Sequence, residues 1–404
     1  MTNPAIAQKI IDVQQRLTSF LPLLTDPQVN SRNDDPQSCD FIFGNPQGMP
    51  LPGYAETLQR WATPQNKDWF AYKMNEPQSQ EVVTESLRKR SGIAFQPGDI
   101  FMTTGAFAAL AICLTAVVDP GDEVIFLSPP WFFYESLIVG AGGIPVRVKV
   151  DANTFEPDLG AVQAAITDKT RAIIINSPNN PTGKIYSPQI LAELAGLLTS
   201  AQKRTKRPIY LLSDESYNRI VFDGRTYSSA TAFYPYSFLI YTYGKTLLTP
   251  GQRIGYIALP PEMPDRDLMR STLLTAQFLL GWPFPNAILQ YALPELEKLS
   301  IDIPHLQRKR DRLVKALNEM GYHLHSPEGT FYLMPRSPLE DDLAFFRLLM
   351  KHKIYVLPGA AFEMPGYFRI SLTANDGMIE RSLPGFEAAL HIVQQQFPVT
   401  ASTR

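Results

Sequence analysis

The 404-residue sequence has little of what marks secreted, membrane-spanning or nucleic-acid-binding proteins. Its only two cysteines, Cys39 and Cys113, exclude a disulfide framework and fit a reducing compartment. Its longest apolar runs are interrupted by Asp, Gly or Pro, so none predicts a transmembrane helix. The formal net charge of −2 at pH 7 provides no basic excess for nucleic acid or for an anionic membrane surface.

The N-terminus also lacks a recognisable targeting signal. The segment MTNPAIAQKIIDVQQRL is polar and amphipathic, without the continuous apolar stretch of a signal peptide. We therefore expect a soluble, cytoplasmic protein. With 45% hydrophobic and 19% charged residues, the chain has the composition of a globular protein, and its length allows a large domain plus a smaller one.

Short apolar runs alternate with helical patterns through the middle of the chain. The runs DIFMTT, EVIFLS, IPVRVKV, RAIIIN, PIYLLSDE, FLIYTY and RIGYIAL have the length and residue content of buried strands. Between them, SPQILAELAGLLTSAQ indicates a helix in which Ser187 caps the first turn and Pro188 occupies it. This alternation predicts an α/β fold with a mainly parallel sheet covered by helices on both faces.

The pattern changes near residue 295. A long helical pattern around HLQRKRDRLVKALNEM is followed by the strand candidates YHLH, TFYLMP and YFRIS. We therefore predict a large domain at residues 46–294 and a smaller α+β domain at residues 295–404. Residues 1–45 have helical character, and we expect them to form an N-terminal arm that packs with the small domain.

Polar residues stand where the predicted strands end. Lys245 follows the apolar run FLIYTY, although an unpaired ammonium in an apolar site is costly. Asp214 follows IYLLS, Asn180 follows IIIN, and Gly105 follows DIFMT. Because ligands of open parallel sheets bind beyond the carboxyl ends of the strands, these residues would share one rim.

Each feature alone has an ordinary structural explanation. A lysine can lie at the wet edge of a strand instead of forming a Schiff base. TTGAFAAL can simply begin a helix, Asp214 can cap one, and Asn180 can stabilise a turn. The aromatics of SPPWFFYE can belong to the core. His323 and His325 have no third ligand at metal-binding spacing, so we expect no metal site.

The joint occurrence of these features, in this order, resembles the class I/II aminotransferase family of fold-type I pyridoxal-phosphate-dependent enzymes. The matching patterns are TGA, P-x-W-x-x-Y, N-x-P-x-N-P-T-G, S-D-E-x-Y, G-K-T…G-x-R-x-G-Y and F-R-I-S. They extend over nearly the whole chain, from FIFGNPQ to the last helical pattern. The resemblance implies a seven-stranded, mainly parallel sheet in the large domain, and pyridoxal 5′-phosphate as the cofactor.

The resemblance also implies a role for each matching residue around the cofactor. Lys245 would carry it as an internal aldimine and, once freed, would act as the general acid and base. Asp214 would pair with the protonated ring nitrogen, Asn180 and Tyr217 would bind the phenolic oxygen, and Trp131 would stack on the ring. The catalytic set is Lys245, Asp214 and Tyr217. The phosphate would be held by Thr104, Gly105, Ala106, Thr242 and Arg253, and Phe107 would also belong to the cofactor-binding set.

Three further residues are assigned to the substrate and to a second subunit. Arg369 would bind the substrate α-carboxylate through two hydrogen bonds, near Asn180. Gly44 would lie in a loop close to the substrate. Tyr72 would reach the phosphate of the neighbouring subunit's site, which implies a homodimer with shared active sites.

The expected reaction transfers the α-amino group of an L-amino acid to a 2-oxo acid. The segments expected near the substrate side chain, FIFGNP, WFF, DWFAY and FLLGWPFPN, are mainly aromatic and aliphatic, with no clear arginine for a second carboxylate. We therefore expect a neutral or aromatic donor rather than aspartate. The same motifs would serve a C–S lyase, or an amino-acid oxidase, hydroxylase or cyclase. The fold also occurs as a ligand-sensing domain of transcription regulators, but the chain shows no helix-turn-helix pattern.

Overall fold

The computed structural model describes residues 5–396. The helices are α1 Gln8–Arg16, α2 Leu21–Thr25, α3 Pro27–Asn30, α4 Tyr54–Ala62, α5 Pro77–Ser91, α6 Ala106–Val117, α7 Tyr134–Gly140, α8 Leu159–Ala165, α9 Pro188–Thr205, α10 Tyr243–Thr246, α11 Arg266–Leu279, α12 Ala287–Leu296, α13 Ile303–Met320, α14 Asp342–Lys351 and α15 Asp376–Gln396. The strands are β1 Cys39–Asp40, β2 Ile100–Thr103, β3 Glu123–Ser128, β4 Ile144–Lys149, β5 Thr170–Asn176, β6 Tyr210–Asp214, β7 Ser237–Thr242, β8 Gly255–Ala258, β9 Tyr332–Leu333, β10 Ile354–Tyr355, β11 Leu357–Pro358 and β12 Phe368–Ser371. In this range no helix is both long and apolar enough to cross a membrane.

Seven strands form the central sheet, in the order β2-β8-β7-β6-β5-β3-β4. Neighbouring strands are parallel except at β8, which pairs antiparallel with both β2 and β7. Every residue of β6 and β7 is buried, as the continuous apolar runs of the sequence indicated. The predicted α/β fold with a seven-stranded, mainly parallel sheet is confirmed.

Helices cover both faces of this sheet because successive strand residues point to opposite sides. In β5, Ile174 packs into the apolar cluster that contains α6, whereas Ile173 and Ile175 pack into the cluster that contains α9. Helix α9 begins as predicted, with the Ser187 side chain accepting a hydrogen bond from the backbone N–H of Ile190. The central strands are therefore buried on both faces, whereas the edge strand β4 stays largely open to water.

The C-terminal part of the chain builds a second, smaller α+β unit, as predicted. Its antiparallel sheet has the order β11-β12-β9, and α13, α14 and α15 supply residues to one apolar cluster with it. Strand β1 from the N-terminal segment pairs with β10 of this unit. Helix α1, in contrast, packs on α7 of the large unit. Helix α12 runs through the predicted boundary at residues 294 and 295, so the domain limits stay a prediction.

One predicted strand is wrong. The segment YHLH, residues 322–325, lies outside every strand of the described chain. The alternation of apolar residues and histidines in this segment has another cause. Tyr322 is buried, and its hydroxyl donates a hydrogen bond to the backbone oxygen of Phe386. His323 accepts one isolated backbone hydrogen bond from Arg336. The period of two thus reflects burial of one aromatic side chain rather than a strand ladder.

Candidate active site

The carboxyl ends of β5, β6 and β7 lie side by side and open into a cavity of about 560 Å³. The lining combines polar groups from the strand ends with apolar side chains from α6 and from two loops. It consists of Thr104, Ala106, Phe107, Ala108, Leu110, Trp131, Asn176, Asn180, Asp214, Ser216, Tyr217, Thr242, Lys245, Arg253 and Trp282. Ten residues predicted from the sequence are in this set: Thr104, Ala106, Phe107, Trp131, Asn180, Asp214, Tyr217, Thr242, Lys245 and Arg253.

Asp214 is a buried carboxylate fixed by hydrogen bonds. The Tyr134 hydroxyl donates to its Oδ2 at 2.7 Å, and the Ser216 hydroxyl donates to its Oδ1 at 2.6 Å. Asn176 donates to the backbone oxygen of Asp214 at 2.8 Å. Burial raises the pKa of Asp214, and the hydrogen bonds from Ser216 and Tyr134 and the charge of Lys245 partly oppose that effect. A cationic group bound in the cavity would therefore stabilise the ionised carboxylate.

Lys245 projects into the cavity from the short helix α10, directly after β7. Its Nζ lies 5.5 Å from the centre of the Tyr217 ring and 5.9 Å from that of Phe331. Within residues 5–396 this amine has no hydrogen-bonding or ion-pairing partner. The predicted lysine is thus half-buried between aromatic faces, with its amine available for chemistry.

Gly105 forms the start of α6 with a backbone that only glycine adopts readily, at φ +90°. A Cβ atom at this position would lie 2.7 Å from Arg253 Nη2 and 3.4 Å from Thr242 Oγ1. The N–H groups of Ala106 and Phe107 belong to the first helical turn and have no partner within the helix. Backbone amides, a hydroxyl and a guanidinium therefore converge on one end of the cavity, an arrangement suited to a phosphate group.

Arg369 lies behind Asn180, in β12 of the smaller unit. Its Nη1 donates to Asn180 Oδ1 at 2.9 Å, and its Nη2 donates to the backbone oxygen of Ile42 at 2.8 Å. The guanidinium stacks on Tyr332, 3.9 Å from the ring centre. Burial lowers the pKa of Arg369, and its Nε is buried without a hydrogen-bond partner in the described chain. A carboxylate would satisfy these remaining donors.

Two of the predicted residues occupy the surroundings of the cavity rather than its wall. Gly44 packs closely on Tyr332, the ring beneath Arg369, and on the neighbouring Phe331, since a Cβ there would lie 2.6 Å from the Tyr332 hydroxyl and 2.7 Å from the Phe331 ring. Tyr72 is 86% exposed, and its ring centre lies 4.8 Å from that of Phe284. The structure of the single chain therefore does not bring Tyr72 to the cavity.

Sequence reasoning missed several residues of the site. Asn176 had a signal, since it is a polar residue at the end of an apolar strand, and Tyr134 is the last position of the P-x-W-x-x-Y pattern. Ser216 occupies the unspecified position of S-D-E-x-Y. Trp282 belongs to the segment FLLGWPFPN, which was expected near the substrate side chain without a role for this residue. Tyr332 was recognised as part of the site only from the packing of the folded chain. Although burial disfavours its phenolate, the charges of Arg369 and Lys245 lower the pKa of Tyr332. Residues 5–396 contain no group of His, Cys, Asp and Glu placed to hold a metal ion.

Comparison with known proteins shows similarity over nearly the whole chain. Residues 40–383 match the family described as aminotransferase class I and II. An aspartate/prephenate aminotransferase from Thermus thermophilus is 30% identical over 350 residues, which cover 84% of this chain and 88% of that protein. Aromatic-amino-acid aminotransferase 2 from Thermococcus litoralis is 26% identical over 412 residues, which cover 96% of both chains. The crystal structure of an aminotransferase from Eubacterium rectale superposes with a TM-score of 0.84 at 29% identity, covering 97% of this chain and 96% of that one.

Proposed function

The chain belongs to the class I and II aminotransferase family, and from this premise we propose that it transfers the α-amino group of a neutral or aromatic L-amino acid to a 2-oxo acid, with Lys245 holding the cofactor covalently. Members of this family are enzymes that use pyridoxal 5′-phosphate. The observation that carries the proposal is the unpaired Lys245 amine in the same cavity wall as the buried carboxylate of Asp214. The relatives are aminotransferases, and no feature of the site favours the lyase, oxidase, hydroxylase or cyclase alternatives.

The residues present fit the cofactor at both of its ends. The space above Gly105, which a Cβ atom would fill, would take the phosphate, with Arg253 and Thr242 as donors. Asp214 would face the ring nitrogen, where Tyr134 and Ser216 keep the carboxylate oriented. When bound, pyridoxal phosphate supplies an electron sink that stabilises negative charge on the substrate α-carbon.

Lys245 and Arg369 would then divide the work on the substrate. Once released from the cofactor by the substrate amine, Lys245 Nζ would carry the proton between the substrate α-carbon and the cofactor, because it lines the cavity and has no hydrogen-bonding partner within residues 5–396. Arg369 would hold the α-carboxylate with its Nε and its remaining Nη hydrogens, and so orient that carbon. The Tyr217 and Phe331 rings beside Lys245 would limit the access of water to the reacting atoms.

The substrate preference is argued from the cavity lining. Its only cationic side chains in the described chain are Lys245 and Arg253, which the cofactor would engage. Phe107, Trp131 and Trp282 supply apolar surface instead. A second carboxylate would therefore be buried without a cationic partner, which is unfavourable compared with burial of an aromatic or aliphatic side chain.

A panel of amino donors tests this proposal directly. Each donor is mixed with the holoenzyme, and the single-turnover change of the cofactor's visible band is followed together with the 2-oxo acid formed. We expect phenylalanine, methionine or leucine to react faster than aspartate, with one 2-oxo acid formed per cofactor converted to its amine form. A much faster reaction of aspartate would contradict the substrate preference. Release of ammonia, pyruvate or peroxide would contradict transamination itself.

We also propose that the enzyme is a homodimer with shared sites. Large apolar side chains, Tyr72, Phe278, Leu279 and Phe284, are exposed next to the cavity residue Trp282, and such a patch is typical of an interaction surface. A mixture of Tyr72→Phe and Lys245→Ala chains would form hybrids with one fully wild-type site each. We expect the mixture to exceed the summed activities of the two parents. An active monomer in sedimentation, or no gain on mixing, would contradict shared sites.

A further inference from the structure

A buried arginine lies behind the turn that carries Lys245. The Arg219 side chain is 4% exposed, and its guanidinium carbon lies 4.5 Å from the centre of the Tyr241 ring and 5.1 Å from that of Tyr243. Its Nη1 is 2.9 Å from Glu297 Oε1. Arg219 follows Tyr217 by two residues in the loop after β6, so one loop contacts the Lys245 turn at two places.

The turn itself depends on such contacts. Helix α10 contains only four residues, Tyr243–Thr246, and a helix of this length is not stable by itself. Tyr243 begins it and packs edge-on against Tyr241, with ring centres 5.1 Å apart. The hydroxyl groups of Tyr241 and Thr246 are hydrogen-bonded at 2.8 Å, which ties the end of the helix back to β7. Lys245 therefore lies between two residues held by the aromatic pair that Arg219 contacts.

Glu297 connects this arginine to the scaffold. It lies at the end of α12 and also accepts a 2.5 Å hydrogen bond from Ser86 of α5. The surroundings are costly in free energy, because Arg219 Nε, Glu297 Oε2 and the Tyr243 hydroxyl are buried without hydrogen-bond partners in the described chain. A buried ion pair generally adds little net stability compared with apolar packing, so stability alone does not account for this cluster.

We propose that Arg219 is a positioning residue: with Glu297 it holds Tyr241 and Tyr243 in place and thereby fixes the turn from which Lys245 reaches Tyr217. The proposal rests on the proposed function in one respect, namely that Lys245 is the cofactor lysine. The planar guanidinium is essential to this role, because it contacts two rings and a carboxylate at once, which an ammonium does less well.

The test compares Arg219→Lys with Arg310→Lys in the full-length holoenzyme. Arg310 is a matched control, since its side chain is 3% exposed, pairs with Asp223 at 2.6 Å and stacks 4.7 Å from the Phe222 ring centre. Hydrogen exchange is measured for a peptide spanning residues 241–249. The pH midpoint of the cofactor's visible band, kcat and KM are measured in parallel. Glu297→Gln serves as a second variant if Arg219→Lys does not fold.

For Arg219→Lys we expect exchange in this peptide to accelerate by about tenfold or more, because the turn opens more often. The pH midpoint of the band should shift, and kcat should fall on the order of 10- to 100-fold, as misplacement of a reacting group predicts. KM for the amino donor should change little, since Arg369 still binds its carboxylate. Arg310→Lys should lower the thermal midpoint while leaving the exchange of this peptide, the pH midpoint of the band, kcat and KM unchanged.

Unchanged exchange and an unchanged band midpoint in Arg219→Lys would overturn the proposal. Equal changes in Arg310→Lys would also overturn it, because they would indicate general destabilisation. The exchange result does not depend on catalysis. If borohydride attached the cofactor to another lysine, the proposed function would fail while exchange at residues 241–249 still decided the positioning role.

Discussion

Substitution of Tyr134 by phenylalanine isolates one hydrogen bond to the buried carboxylate of Asp214. The bond is 2.7 Å long and both groups are buried, so water does not replace the lost donor. A hydrogen bond to a charged group contributes about 1.5–3 kcal/mol, which corresponds to roughly 10- to 150-fold in an equilibrium constant. We expect the affinity for pyridoxal phosphate to decrease by a factor in this range, because in the proposed site Asp214 is ionised and pairs with a cationic ring nitrogen.

The direction of the pH effect follows from the same bond. Burial raises the pKa of Asp214 and the Tyr134 hydroxyl opposes that effect, so Tyr134→Phe should raise the pKa further. Activity that requires the ionised carboxylate should then be lost at a higher pH on the acid side of the kcat/KM profile. Tyr322→Phe is the matched control, since Tyr322 is buried and donates at 2.8 Å to a backbone oxygen far from the cavity. The reasoning would be refuted if both variants had the same acid limb of the kcat/KM profile and the same affinity for the cofactor.

Two further substitutions test the two binding ends of the site. Gly105→Ala should abolish tight cofactor binding, because the added Cβ would lie 2.7 Å from Arg253 Nη2 on a backbone with φ +90°. The control Gly92→Ala, with φ +73° but open space around it, should lower only the thermal midpoint. Equal cofactor affinities in the two variants would contradict this prediction. Arg369→Lys should lower kcat/KM for all amino donors by about 100-fold, because a lysine cannot bind the α-carboxylate through two parallel hydrogen bonds. The visible spectrum of the cofactor should stay unchanged. A loss confined to one donor would contradict a role at the α-carboxylate.

The α/β core was predictable because its signals are local and repeated. Strands such as RAIIIN are short, continuous and apolar, and Ser187 with Pro188 marks the start of α9. YHLH had the same period of two but lacked a pairing partner, which depends on distant residues. The N-terminal segment divides its contacts between both units, since α1 packs on α7 and β1 pairs with β10. Both partners lie far away in the sequence, so the local pattern did not predict this division.

The site was predictable where function requires a residue type at a strand end. Lys245, Asp214 and Asn180 stand at such ends, and the structure brings them to one cavity. The supporting contacts were not predictable in the same way. Tyr134 reaches Asp214 across 80 positions of sequence, and Arg219 meets Glu297 through packing of separate elements, so neither pair has a spacing to detect.

The most direct test of the central claim is the site at which the cofactor is attached. The purified holoenzyme is reduced with borohydride, digested, and mapped by mass spectrometry, with Lys245→Ala treated in parallel. We predict one phosphopyridoxyl group on the peptide that contains Lys245, and none in the variant. Covalent cofactor on a different lysine, or on Lys245→Ala, would contradict the account.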